Sequence, residues 1–160
     1  MRPLSLLLAF AACTEPADTA VFDTGVDPVD AALCEVFETV SADTIVAAEY
    51  ADDAPTTYIH AEAKRVRLAG DSPPYSGYIR IDVGEDGMHA FGMSAVVDFL
   101  PNPPPFVGPA EDDGVEATGC DLLVHRVEYP LNVGVYWPYI ESVAREVTLA
   151  TVVVSPASAE

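Results

Sequence analysis

An all-β domain, an antiparallel sandwich of about seven or eight strands, is the fold class this sequence predicts, and three observations carry that expectation. Polar and apolar residues alternate with period two in several stretches, most clearly GYIRIDV (77–83) and MHAFGMSAVVDF (88–99). The β-branched and aromatic runs are short and are punctuated by Gly and Pro, of which the 160-residue chain has 10 and 14. No strand–helix–strand rhythm appears, which argues against the parallel-sheet classes. A β-barrel is the alternative, with one short N-terminal helix as a further variant.

The chain opens on a segment that does not belong to this domain. The apolar run Leu4–Ala12 is nine residues long, whereas a bilayer-spanning helix needs roughly 20. Arg2 precedes the run and the small residues Ala11 and Ala12 close it, the layout of a cleavable signal peptide over residues 1–12. The stretch AFAAC (9–13) resembles the lipobox of bacterial lipoproteins, with Phe10 where Leu is usual. That resemblance implies cleavage before Cys13 and acyl chains such as palmitate on its sulfur and amine. Two or more chains make a membrane anchor durable, at about 0.8 kcal/mol per buried methylene. Thr14 in the next position, rather than Asp, implies by the same resemblance onward sorting to the outer membrane of the cell envelope. The alternative is a plain secretory signal that leaves Cys13 free.

Residues 13–30 then read as a flexible tether. Glu15, Asp18, Asp23, Asp27 and Asp30 leave little apolar surface to offset the entropy of ordering. The domain is expected over 31–160. Asp27 and Pro28 look like a helix N-cap and first helical residue, with Leu33, Val36, Phe37 and Val40 at helical spacing, while CEVFETV (34–40) reads equally as a first strand.

Further along, TIVAAEY (44–50) supplies a strand. In TTYIHAEAKRVRL (56–68), Ile59, Ala61 and Ala63 share a face, but Val66 and Leu68 fall one residue out of phase. A bulge near Lys64 and Arg65 is the expected remedy. The basic residues Lys64, Arg65 and Arg67 suit an edge strand, where charge discourages unwanted pairing. In GYIRIDV, Ile79, Ile81 and Val83 face inward, and GEDG (84–87) has the composition of a hairpin turn into the strand that carries Phe91, Met93, Ala95, Val97 and Phe99. A long surface loop follows, with five prolines between Pro101 and Pro109 and the acids Glu111, Asp112 and Asp113. CDLLVHRVEY, LNVGVYW and REVTLATVVV complete the strands, separated by Pro130 and Pro138.

Composition narrows the function classes. Asp and Glu number 26 against seven Lys and Arg, and the net charge of −19 becomes −20 when Arg2 is cleaved away. Such a field repels phosphate backbones, so nucleic acid is a poor partner. Cys34 and Cys120 remain once Cys13 is lipidated, and in an oxidising compartment they are expected to form a disulfide, two buried thiols being the alternative.

Local chemistry is sparse. GxSxG, HExxH, SxxK and phosphate-loop motifs are absent, which leaves no catalytic residues to name. A metal-assisted or acid–base hydrolase would have to assemble His60, His89 and His125 with Asp98 or Glu62. Carboxylates at Glu85, Asp86, Glu111, Asp112, Asp113 and Glu116 could hold a weak Ca2+ ion, or simply form solvated turns; no other cofactor is implied. Tyr136, Trp137 and Tyr139 form an aromatic cluster around Pro138. It is either core, with Trp137 inside, or a recognition patch for a glycan or protein partner. The function expected is a lipid-anchored envelope protein with a non-catalytic binding domain, the alternatives being the hydrolase and a structural envelope component.

Overall fold

The computed structural model describes residues 25–59, 62–101 and 114–154. Its first element is helix α1, Pro28–Phe37, and it starts as the sequence dictates. Asp27 caps it, accepting from the Val29 N–H at 2.7 Å, and Pro28 takes the first helical position. Residues 28–30, read from sequence as the end of the tether, therefore belong to the folded domain, and the strand reading of 34–40 survives only at its last residue. The strands follow in chain order: β1 (Val40–Val46), β2 (Thr56–Thr57), β3 (Ala63–Arg67), β4 (Tyr75–Tyr78), β5 (Arg80–Val83) and β6 (Gly87–Met93). Then come β7 (Val97–Leu100), β8 (Val115–Glu116), β9 (His125–Leu131), β10 (Gly134–Tyr136), β11 (Tyr139–Ser142) and β12 (Glu146–Val154).

Six strands form one sheet in the order β1-β3-β12-β6-β9-β8, antiparallel except where β1 lies parallel to β3. The other strands pair as β4-β11-β7 and β10-β5-β2, and the registers join these two pieces. Tyr75 faces Ser142 and Tyr78 faces Tyr139; Ile81 then faces Tyr136 and Val83 faces Gly134, with no slip in between. Residues 75–83 and 134–142 are thus one continuous antiparallel ribbon. Pro138 interrupts the ladder because it has no N–H, although its carbonyl still accepts from the Ile79 N–H at 3.2 Å. With β7 against one strand of the ribbon and β2 against the other, this is the second sheet of a sandwich, and no sheet closes into a barrel.

Between the sheets lies the larger core. Val66, Phe91, Met93, Val127, Tyr129, Leu131, Val147 and Leu149 from the first sheet meet Ile81, Val83, Val97, Phe99 and Ile140 from the second. Phe91 and Phe99 pack with ring centroids 4.7 Å apart, and the Tyr129 hydroxyl, inside the core, donates to the Phe99 carbonyl at 2.6 Å. A second core covers the opposite face of the first sheet, where Leu33 and Phe37 of α1 sit on Ala63, Ala90, Leu123 and Ala150. Small residues here let the helix approach closely. A Cβ at Gly92 would lie 2.7 Å from Leu123 Cδ1 and 3.1 Å from both Leu33 methyls. Gly92→Ala is therefore expected to cost about 1–3 kcal/mol by overpacking, read as a lower urea midpoint with unchanged slope; a midpoint at the wild-type value would contradict this packing.

Helix coverage also explains the phase change in 56–68. Ala63 points to the helix-side core, while Val66 and Leu68 point to the sandwich core. The pairing of Lys64–Arg67 with Glu146–Leu149 is regular, so no bulge interrupts that ladder. The irregularity falls between β1 and β3, where Val40 faces Ala63 but Thr44 faces Arg65. Nor is β3 an edge strand, since β1 and β12 flank it. Two of its cations are engaged: Arg65 donates to the Ala42 carbonyl at 2.9 Å, and Lys64 pairs with Glu62.

GEDG is not a hairpin turn. β5 pairs with β10 and β2, whereas β6 pairs with β12 and β9. The chain arches from one sheet to the other, so Ile81 and Val83 reach the same core from the side opposite Phe91 and Met93. Turn-forming residues permit a reversal; which strands then pair is decided by longer-range contacts. Pro130 lies inside β9 rather than between strands. Among the described residues only Met88 of β6 faces it, since the described part of β8 pairs with β9 at Arg126 and His125.

Candidate functional site

Of the residues singled out from sequence, Cys34 and Cys120 are joined in a disulfide with Cα atoms 6.0 Å apart. Cys13, His60, Glu111, Asp112 and Asp113 lie outside the described residues. The remaining calcium candidates are dispersed: Glu85 and Asp86 sit in the arch, while Glu116 is on β8 opposite His125. Asp86 is already used, accepting from the Val133 N–H at 2.6 Å. Among the described residues no group of three or more His, Cys, Asp or Glu could hold a metal ion.

The two described histidines do not converge on one site, although His125 lies within electrostatic reach of Asp98. His89 faces Tyr129 and His125 faces Met93, at opposite ends of the β6–β9 pair. Both are buried, His89 at 0% exposure and His125 at 7%. His89 Nε2 is 3.1 Å from the Glu85 carbonyl. Burial pushes the His125 pKa below its ordinary value, against the opposing charge of Asp98. Gly114 closes over this ring: with φ +84°, a Cβ there would come within 2.1 Å of His125 Cε1.

A charged cluster ties α1 to the first sheet. Arg126 Nη1 donates to Asp30 Oδ1 at 2.8 Å and lies 3.0 Å from Asp27 Oδ1, while Nε is 3.1 Å from Glu128 Oε1. Asp30, 3% exposed, also accepts from the Thr118 N–H at 2.7 Å. At Asp27 burial acts to raise the pKa, but the hydrogen bonds from Arg126 and Val29 and the guanidinium charge outweigh it and hold the carboxyl below its usual range. The helix is thus fastened twice, at its N-terminus by Arg126 and near its C-terminus by the disulfide.

The candidate site is the face that no described helix covers, the outer side of the second sheet. The cluster around Pro138 divides there. Tyr136 packs against the sandwich core and its hydroxyl donates to the Asn132 carbonyl at 3.0 Å. Trp137, expected inside, is half-buried and outside both cores. Trp137 and Tyr139 alternate with the buried Pro138 and Ile140, which places them on the outer face. Pro138 shifts which backbone groups pair but not this alternation. Tyr139 packs at a tilt against Tyr78 with ring centroids 5.2 Å apart and donates to Glu141 Oε2 at 2.9 Å. The Ser76 contact acts to lower the Tyr139 pKa, yet the Glu141 carboxylate and partial burial raise it above its ordinary value, so the phenol remains a donor.

Sequence reasoning missed most of this surface. Tyr78 and Leu100 extend the aromatic row, Glu141 stands beside Asp98, and Val96 and Val143 are 66% and 76% exposed at the sheet's end. The alternation Tyr139, Glu141, Val143 in YIESV was the available signal. No protein-family model matches the chain and no similar curated protein is found.

Proposed function

We propose that this protein is a lipid-anchored envelope protein, tethered through Cys13 and destined for the outer membrane by its Thr14, whose sandwich is a non-catalytic binding module working through the outer face of its second sheet. The observation that carries the reading is the asymmetry of the two outer faces. One is sealed by α1, while the other displays Val96, Leu100 and Val143 beside Tyr78 and Tyr139. An exposed apolar patch of this kind marks an interaction surface. The described chain also enters on the sealed side, at Asp27. The hydrolase alternative gains no support from two buried histidines at opposite ends of a strand pair.

Two measurements test the proposal. Cys13→Ser is expected to move the protein from the membrane to the soluble fraction, and a variant that stays membrane-bound would refute the anchor. Hydroxyl-radical footprinting of native envelopes is expected to label Tyr78, Tyr139 and Leu100 less than in purified protein. Equal labelling would refute the binding face.

A further inference from the structure

The outer face of the second sheet is banded. Register places Tyr78, Tyr139 and Leu100 side by side across three strands, and the next row is Ser76, Glu141 and Asp98. Beyond it, Pro74, Val143 and Val96 border a notch of about 220 Å3 that Asp98 and Glu141 also line. Apolar, acidic and apolar rows therefore succeed one another at about 6.6–6.8 Å, two residues along a strand. Asp98 and Glu141 stand directly opposite each other on neighbouring strands, an arrangement of like charges that disfavours the free sheet. Among the described residues neither carboxylate has an ion-pair partner.

On the reading of this domain as a binding module, we infer that the face takes an extended polypeptide segment carrying apolar, Lys and apolar side chains at alternate positions. An extended chain presents every second side chain to one side at the same 6.6–6.8 Å interval, roughly. The lysine ammonium sits between Asp98 and Glu141, relieving their repulsion, and its methylenes lie along Val96, Val143 and Pro74. The flanking apolar side chains cover the tyrosine row and the valine row. Lysine suits the notch because its flexible aliphatic stem lies along apolar walls while its compact charge reaches the two carboxylates. Charge complementarity points the same way: the chain carries −19 overall, a field that draws in cationic segments.

The test uses the mature lipidated protein in detergent micelles and a labelled, end-blocked peptide Ser-Leu-Ser-Lys-Ser-Leu-Ser. Anisotropy reports binding, and Trp137, the one tryptophan, reports contact with the face. The expected result is saturable binding that weakens with salt and is about tenfold weaker when the peptide's Lys is replaced by Glu or its alternation is scrambled. The D98N/E141Q double variant is expected to bind about tenfold more weakly with a melting temperature no lower than wild type, because it also removes the like-charge contact. The E35Q/E38Q variant, with the same charge change at exposed positions on and just after α1, is expected to bind as wild type does. Equal weakening by both double variants would overturn the inference in favour of the general field. Trp137 quenching by cellohexaose with no peptide binding would overturn it in favour of a neutral glycan. If the peptide fails while envelope footprinting still protects Tyr78 and Tyr139, the inference falls and the binding-module reading stands; if that protection is also missing, both fall.

Discussion

Arg126→Ala is expected to destabilise the domain by about 3–5 kcal/mol, the range for removing one partner from a buried ion pair. The reason is Asp30. Its side chain is 4% exposed, and without the guanidinium it would keep only the Thr118 backbone and hydroxyl donors. Urea unfolding at pH 7 measures the loss, and a change below about 1 kcal/mol would show that the cluster is not a structural lock. Arg126→Lys is expected to rescue little, because one ammonium cannot replace a fork that meets Asp27, Asp30 and Glu128 together. The pH dependence follows from Asp27, whose folded pKa is depressed. A depressed carboxyl contributes stability above its unfolded pKa of about 3.9 and loses it as pH falls through the lower folded value. Wild type is therefore expected to weaken below about pH 4, and Arg126→Ala to show a shallower acid limb.

Removal of the disulfide is the second large effect. Cys34 and Cys120 are 86 positions apart, and a loop of that size restricts the unfolded chain by about 4–5 kcal/mol in the entropy model. The Cys34→Ala/Cys120→Ala variant is expected to lose about that much, and wild type in reductant to match it in urea titrations. The bridge fastens α1 to the segment that leads into β9, so hydrogen exchange in α1 is expected to accelerate more than in β6 or β12. Uniform acceleration would mean that the helix has no independent opening. Together the disulfide and the Arg126 cluster hold the helix at both ends of its length, at the point where the chain enters the domain.

Strand positions were largely legible because alternation is local. Ile79, Ile81 and Val83 are buried as their spacing requires, as are Phe91, Met93, Val97 and Phe99. The N-cap of α1 was legible for the same reason, since Asp27 and Pro28 act on neighbouring backbone. Errors arose where a neighbour distant in sequence decides the outcome. The phase change at Ala63 and Val66 looked like a bulge because one-sided burial was assumed, and α1 had given the first sheet a second buried face. GEDG looked like a hairpin because its composition reports a reversal but not the partner of either strand.

The open face illustrates the same division. Tyr139 was identified as a surface candidate, but its partners Tyr78, Leu100 and Asp98 lie tens of residues away and are brought alongside only by register. Sequence by itself determined the β class and many inward positions, and it offered the capping signal at Asp27 and Pro28 beside a strand alternative, because periodicity and capping act along the chain. Tertiary structure alone decided which strands are neighbours, which sheet the helix packs on, and which rows of aromatic, acidic and apolar side chains share the outer face of the second sheet. Those depend on pairing between distant segments, and a single strand's own pattern is compatible with many partners.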